Sequence, residues 1–374
     1  MRKYLSVVLV VCVFLALFSS CDFQKKNETP SLNELEAQVK ESNPAFLEIP
    51  APSIANNILG EADVQSIGVY LPPSYFTQNR EFPVLYFLPG FHSNYKDYVK
   101  ELASALERSI PQGTTEMIAV VVNDRSKLQG SLYVNSPVTG NWEDYVLNDV
   151  IPYVDANFRT LKAPKGRGIA GQTVGGTAAL NMAMHTKGVF GYIYCMSPGV
   201  FDENGLEDAP VHFNVLADLQ KEYAGKSKEE ASEAYKAYIN TLQWPVNFTF
   251  AYATVFAGDP SLKAPYIKMP QIDEDGKVIK DANWQLLQSG FGDITEKLNK
   301  YEDNLRDLKA IGLDYAAQDR LVYIRNGTEY LSKELKARNI NHSLEVYDGA
   351  HQDHVMTRLR EVVLPFFAEQ FTRG

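Results

Sequence analysis

Cysteine is scarce in this 374-residue chain, with only Cys12, Cys21 and Cys195. Cys12 and Cys21 belong to the leader described below, which leaves Cys195 alone and excludes an internal disulfide framework. Cys195 stands in Tyr192-Ile193-Tyr194-Cys195-Met196. There it reads as a small buried hydrophobe rather than a reactive thiol. Basic charge is also short: 36 Lys and Arg stand against 46 Asp and Glu, a formal net charge of −10. An acidic chain without a basic stripe is a poor candidate for binding nucleic acid, whose phosphates dominate affinity. Internal repeats and low-complexity tracts are absent. With 45% hydrophobic and 22% charged residues, the composition is that of an ordinary globular protein. The length allows one large domain or two medium ones.

The N-terminus reads as a targeting segment. Arg2 and Lys3 precede a 14-residue apolar run, Leu5–Phe18. That is short for a membrane span and suits a secretory h-region. Ser19 and Ser20 then precede Cys21, an order that resembles the bacterial lipobox, in which the Cys is lipidated. We expect a signal peptide over residues 1–20, lipidation at Cys21, and a polar tether over 21–45 carrying a short helix near Leu32–Val39. The protein would then sit in the cell envelope, held to the membrane through the N-terminal lipid only.

From about residue 46 to 372 strands and helices alternate. Ser66–Leu71 ends at Pro72-Pro73 and reads as a strand. Val84–Leu88 and Met117–Val122 are continuous apolar runs that suit strands buried on both faces. Residues 96–109 read as a helix, and Trp142–Phe158 repeats its apolar residues at helical spacing. Gly168–Ala170, Gly191–Met196, Ala310–Asp314 and Leu344–Tyr347 are further strands, and Ala178–His185, Asn326–Arg338 and the C-terminus are helices. Repeated β-α units imply a mostly parallel sheet with helices on both sides, an α/β fold. The alternation lapses at about 202–308. Two charged helical stretches there (Ser227–Thr241, Ile294–Leu308) flank an aromatic segment, Trp244–Phe256, and the block reads as an insertion packed over the core. Asp273-Glu274-Asp275-Gly276 lacks the spacing of a calcium loop and reads as a tight turn.

The sharpest local feature is Gly171-Gln172-Thr173-Val174-Gly175-Gly176, between a strand and a helix. This is the setting of a nucleophile elbow, G-x-S-x-G. Glycines let strand and helix approach closely, and the central side chain is pushed out alone over the sheet's carboxyl edge. The Val174 amide would point into an oxyanion hole at a helix N-terminus. The central residue is Thr, whose hydroxyl keeps nucleophile chemistry available. Its β-branch is poorly suited to positive φ, and a plain glycine-rich turn is the alternative. Leu88-Pro89-Gly90-Phe91-His92 follows the preceding strand, where the second oxyanion amide of such a site arises, here that of Phe91, with His92 at the rim. A base must come late in the chain. His351 lies in the loop after the last strand and His354 at the start of the last helix; His351 is favoured. The pair lacks a third metal ligand. The acid should leave the preceding strand. Asp314 and Asp319 compete, with Asp319 favoured because it lies in the loop. No metal or organic cofactor is indicated.

Together, four segments resemble the esterase D-like branch of the α/β-hydrolases: Phe82–Gly90, Tyr133–Tyr145, Arg167–Gly176 and Tyr347–His351. That branch contains S-formylglutathione hydrolases, feruloyl and acetyl-xylan esterases, enterochelin esterases and mycolyltransferases. The resemblance covers about residues 60–370 and implies an α/β-hydrolase fold. It implies nucleophile, acid and base at Thr173, Asp319 and His351, and an oxyanion hole from the amides of Phe91 and Val174. It also places the loop carrying Asn141, Trp142 and Glu143 beside the pocket, as substrate-binding residues. The departure is Thr173 where the family has Ser.

Three functions follow as expectations. One is a carboxylic-ester hydrolase acting through an acyl-enzyme, deacylating small-molecule or polysaccharide acetyl or feruloyl esters. Another is a catalytically impaired binding lipoprotein, in which Thr173 blocks attack. The third is an acyltransferase with a sugar hydroxyl in place of water.

Overall fold

The computed structural model describes residues 32–275 and 277–373. The expected leader and lipidation site at Cys21 lie outside the described residues, as does Gly276 of the Asp-Gly turn. Eight strands form the main sheet: β1 (Ala45–Pro50), β2 (Val64–Tyr70), β3 (Val84–Leu88), β4 (Ile118–Val122), β5 (Arg167–Gln172), β6 (Tyr192–Met196), β7 (Ala310–Ala316) and β8 (Ser343–Tyr347). Their order is β1-β2-β4-β3-β5-β6-β7-β8. Strand β2 pairs antiparallel with β1 and β4. The pairings from β4 through β8 are parallel.

The apolar runs become central strands because both of their faces are covered. Leu85 and Phe87 pack with helix α2 (Tyr95–Ser109) and the C-terminal helix on one face. Val84, Tyr86 and Leu88 point into the larger core on the other face. Alternation of side chains along one strand thus serves two layers.

Residues 32–45 correct the tether reading. Helix α1 (Leu32–Glu41) buries Leu35 and Val39 in the core, and Ala45 opens the edge strand β1. The signal was present as the alternation Ala45-Phe46-Leu47-Glu48-Ile49. Its burial pattern is buried, half-buried, buried, exposed, buried.

The insertion between β6 and β7 is largely helical. Its helix Val246–Ala257 is largely apolar and buried throughout except at Val246 and Phe256. Aromatic contacts tie it to the fold: Phe201 meets Tyr252 at 5.9 Å and Phe291 at 5.5 Å. In the 273–278 turn, Asp273 Oδ1 accepts the amides of Asp275 and Lys277.

Asp314 and Arg358 join the sheet to the C-terminal helix (residues 355–373). Arg358 Nε donates to Asp314 Oδ2 at 2.8 Å, the Ser197 amide donates to Oδ1 at 3.0 Å, and Tyr194 Oη donates to Oδ2 at 3.2 Å. Burial still pulls the Asp314 carboxyl up to about 6, against the lowering effect of Arg358. Removing the cation leaves a buried, uncompensated carboxylate, which is costlier than the pair is helpful. Arg358→Ala is therefore expected to destabilise the fold by about 3–5 kcal/mol at pH 8 in denaturant unfolding. The loss should shrink toward pH 5, because a raised folded-state pKa favours the protonated native form, and that advantage is lost as pH rises.

Candidate active site

The turn from β5 into the helix Val174–His185 is shaped by sterics. A Cβ at Gly171 would collide with Gly175, and one at Gly175 with the Leu88 carbonyl oxygen. With both positions bare, strand, helix and the end of β3 meet backbone to backbone. Thr173 is forced to φ 54°, ψ −111°, a sparsely populated region that costs on the order of 1–3 kcal/mol. Tertiary bonds hold it there: its amide donates to the Met196 carbonyl at 2.8 Å, and its carbonyl accepts from the Gly199 amide at 3.2 Å.

Three side chains far apart in sequence converge. Thr173 Oγ1 lies 2.9 Å from His351 Nε2, and His351 Nδ1 lies 2.6 Å from Asp319 Oδ2. An ionised Asp319 can only accept, so Nδ1–H donates to it and Nε2 is left to accept the Thr173 hydroxyl proton. Asp319 is sealed from solvent while the His351 side chain is 12% exposed. Its second oxygen accepts the Leu321 amide at 2.8 Å, which fixes the carboxylate's orientation. Asp314, the alternative acid, is committed to Arg358, and among the described residues His351 bonds Thr173 and Asp319 instead. His354 does not line the cleft; it takes φ 62° at the start of the last helix.

A cavity of about 340 Å³ opens over this trio, lined by Phe91, His92, Trp244, Phe248, Leu321 and Tyr323 together with Gly90, Thr173, Val174 and His351. The Val174 amide opens its helix and has no carbonyl one turn back to serve. The Phe91 amide belongs to the facing loop. That loop is braced from below: Tyr133 Oη donates to the Pro89 carbonyl at 3.1 Å, and Tyr98 Oη donates to Gln172 Oε1 at 2.6 Å, under Gly90.

Asn141, Trp142 and Glu143 lie elsewhere. None lines the cavity. The Trp142 indole is buried, donating to the Thr139 carbonyl at 2.9 Å, and Glu143 is bound to His185 Nδ1 at 2.6 Å. Asn141 sits in a two-stranded ribbon, paired with Asn135. Aromatic residues of the insertion and of the helix after Asp319 take the place expected of this loop. Trp244 is 50% exposed at the rim, and Phe248 and Tyr323 form deeper wall. The sequence showed an aromatic-rich segment at 244–256 but not which of its rings would face the cleft.

Residues 63–243 match the family model described as "Putative esterase". The match spans just under half of the chain. Among curated proteins it is 32% identical to an esterase of Mycobacterium tuberculosis over 130 residues, 33% of this chain and 27% of that one. It is 24% identical to the uncharacterized protein YbbA of Bacillus subtilis over 159 residues, 40% of this chain and 61% of that one. The chain thus spans less than two thirds of the length of either relative. A ferulic acid esterase of known structure superimposes with a TM-score of 0.53 at 18% identity, over 88% of this chain and 99% of that one. That likeness carries the fold alone, the α/β-hydrolase architecture: a mostly parallel sheet with helices on both faces.

Two outcomes test the geometry. Gly175→Ala is expected to prevent accumulation of soluble, folded protein, because the Leu88 carbonyl cannot move without breaking β3–β5 pairing; circular dichroism of the purified variant checks this. Asp124, at the end of β4, is buried and pushed up to about 7 by desolvation, with the Ser131 amide at 3.3 Å from its carboxylate. Its folded-state pKa is raised, so the stability it contributes is full below about 4 and is lost as pH rises through about 7. Asp124→Asn is expected to flatten the fall in thermal midpoint across that window.

Proposed function

We propose that the protein hydrolyses carboxylic esters through an acyl-enzyme on Thr173. His351 Nε2 takes the hydroxyl proton as Oγ1 attacks the ester carbonyl, and the tetrahedral oxyanion is received by the Phe91 and Val174 amides. Collapse expels the alcohol, which leaves with the proton from His351. Water, deprotonated by the same imidazole, then releases the acid and restores Thr173. Asp319 holds the tautomer and stabilises the imidazolium. The observation that carries this reading is the unbroken relay, 2.9 Å from Thr173 Oγ1 to His351 Nε2 and 2.6 Å from His351 Nδ1 to Asp319 Oδ2. Small-molecule or carbohydrate esters, acetyl or aryl-acyl, are the substrates this reading favours. The leader order ending in Cys21 supports export and attachment to the cell envelope through a lipid at that residue.

One observation favours a second reading, a binding protein with impaired catalysis. Thr173 carries a β-branch at φ 54°, where its methyl restricts χ1 and crowds the space a substrate carbonyl needs.

Hydrolysis of short p-nitrophenyl esters separates the two. Thr173→Ser is expected to raise kcat/KM about tenfold by freeing that space. Thr173→Ala and His351→Ala are expected to lower it by on the order of 10³. A Thr173→Ala protein as active as the parent would leave only the binding reading. Asp319→Asn, which keeps the shape but favours the wrong tautomer, is expected to reduce kcat by on the order of 10³–10⁴ with KM little changed.

A further inference from the structure

The loop that carries the proposed base has little packing to hold it. Residues 348–354 are exposed or half-buried throughout, and the chain returns to the core only at Val355. Segments with so few buried contacts open easily. Yet His351 keeps Nδ1 2.6 Å from Asp319 Oδ2 and Nε2 2.9 Å from Thr173 Oγ1. Without buried side chains in the loop, that placement falls to hydrogen bonds.

Three such bonds come from one residue of another segment. Gln318 directly precedes Asp319 in the loop after β7, and it is exposed. Its amide donates to the Gly349 carbonyl at 2.9 Å, its Oε1 accepts the Gly349 amide, and its Nε2 donates to Asp348 Oδ1 at 2.7 Å. Both backbone groups of Gly349 are therefore bound by a single residue. One step back, the Ala317 amide donates to the Tyr347 carbonyl at 2.8 Å. The pairing of β7 with β8 thus runs on past their ends at Ala316 and Tyr347, with the Gln318 side chain supplying one of the acceptors. At Gly349 the chain takes φ 133°, open to glycine and strained for other residues, and turns from this anchor toward His351. The remaining bonds, between Ala350 and Asp353 at 2.9 Å each, tie the loop to itself and not to Asp319.

We propose that Gln318 is a positioning residue: it locks the loop of His351 to the loop of Asp319, so that the Nδ1–Oδ2 contact is made before any substrate arrives. This rests on the ester-hydrolase reading above and deepens it, by assigning what holds acid and base together. Gln318 itself touches none of the reacting atoms. A single exposed hydrogen bond contributes little to stability, but three from one residue, two of them on one glycine, fix where the following residues lie. Because Gln318 is exposed, its loss is expected to leave the fold intact, which separates positioning from stability.

The test uses the full chain and short p-nitrophenyl esters. Gln318→Leu removes donor and acceptor together. It is expected to lower kcat about 10²-fold, with KM changed by less than about twofold and the thermal midpoint by less than about 2 °C. Gln318→Glu keeps the acceptor for the Gly349 amide but sets a like charge against Asp348, and is expected to lower kcat about tenfold. Adding Asp348→Asn to Gln318→Glu restores that contact with donor and acceptor exchanged, and is expected to bring kcat back to within about threefold of the parent. Parental kcat in Gln318→Leu, or a Gln318→Glu loss that Asp348→Asn does not recover, would overturn the proposal.

Proton NMR reads the same link without turnover. The Nδ1–H proton shared with Asp319 is expected as a low-field resonance, identified by its absence from His351→Ala. It should be present in the parent and in the paired variant, and broadened away in Gln318→Leu. If the parent turns over no ester but loses this resonance on Gln318→Leu, the positioning role stands and the hydrolase reading falls. If the resonance survives Gln318→Leu unchanged, the positioning role falls whatever the esters show. A parent with neither turnover nor resonance ends both.

Discussion

The close approach of three backbones at Gly171, Gly175 and Leu88 is the constraint on which the rest of the site depends. Because no side chain fits between them, β5 must turn sharply into its helix, and Thr173 is left at positive φ with its side chain over the carboxyl edge of the sheet. The same turn aims the Val174 amide at the same point. The strain is local and modest, and it is offset by the Thr173 amide's bond to the Met196 carbonyl and the Gly199 amide's bond to the Thr173 carbonyl, so the fold pays for a pre-arranged hydroxyl in advance of any substrate.

A second layer holds the partners of that hydroxyl. Asp319 is fixed by the Leu321 amide and hidden from water, and His351 is held between it and Thr173. Across the cleft, the Pro89-Gly90-Phe91 loop rests on Tyr98, Tyr133 and Gln172. The loop after β4 links these supports to the insertion through Gln129, so the aromatic wall and the oxyanion loop share one scaffold. Sites with supporting contacts of this kind keep their geometry without help from the ligand.

Much of this was legible in the sequence where local physics decides. Val84–Leu88 and Met117–Val122 read as doubly buried strands because nothing in them tolerates water, and the glycine spacing at 171–176 announces the turn. The preference for Asp319 over Asp314 needed only loop position, but its reason lies in Arg358, 44 residues further on. What sequence pattern could not carry was packing between distant segments. Residues 32–45 look polar and Pro-punctuated, yet Leu35 and Val39 find core partners and Ala45–Pro50 finds an edge. Trp142 and Glu143 looked available for substrate, yet Thr139 and His185 take up their polar atoms.

The central claim is that the Thr173 hydroxyl is an activated nucleophile, not a spectator in a glycine-rich turn. Treatment with a fluorophosphonate, followed by intact mass and peptide mapping, tests it without reference to any natural ester. The account predicts a single phosphonyl adduct located on Thr173, formed in the parent and in Thr173→Ser and lost in His351→Ala. Protein that stays unmodified, or an adduct on any other residue, would contradict it.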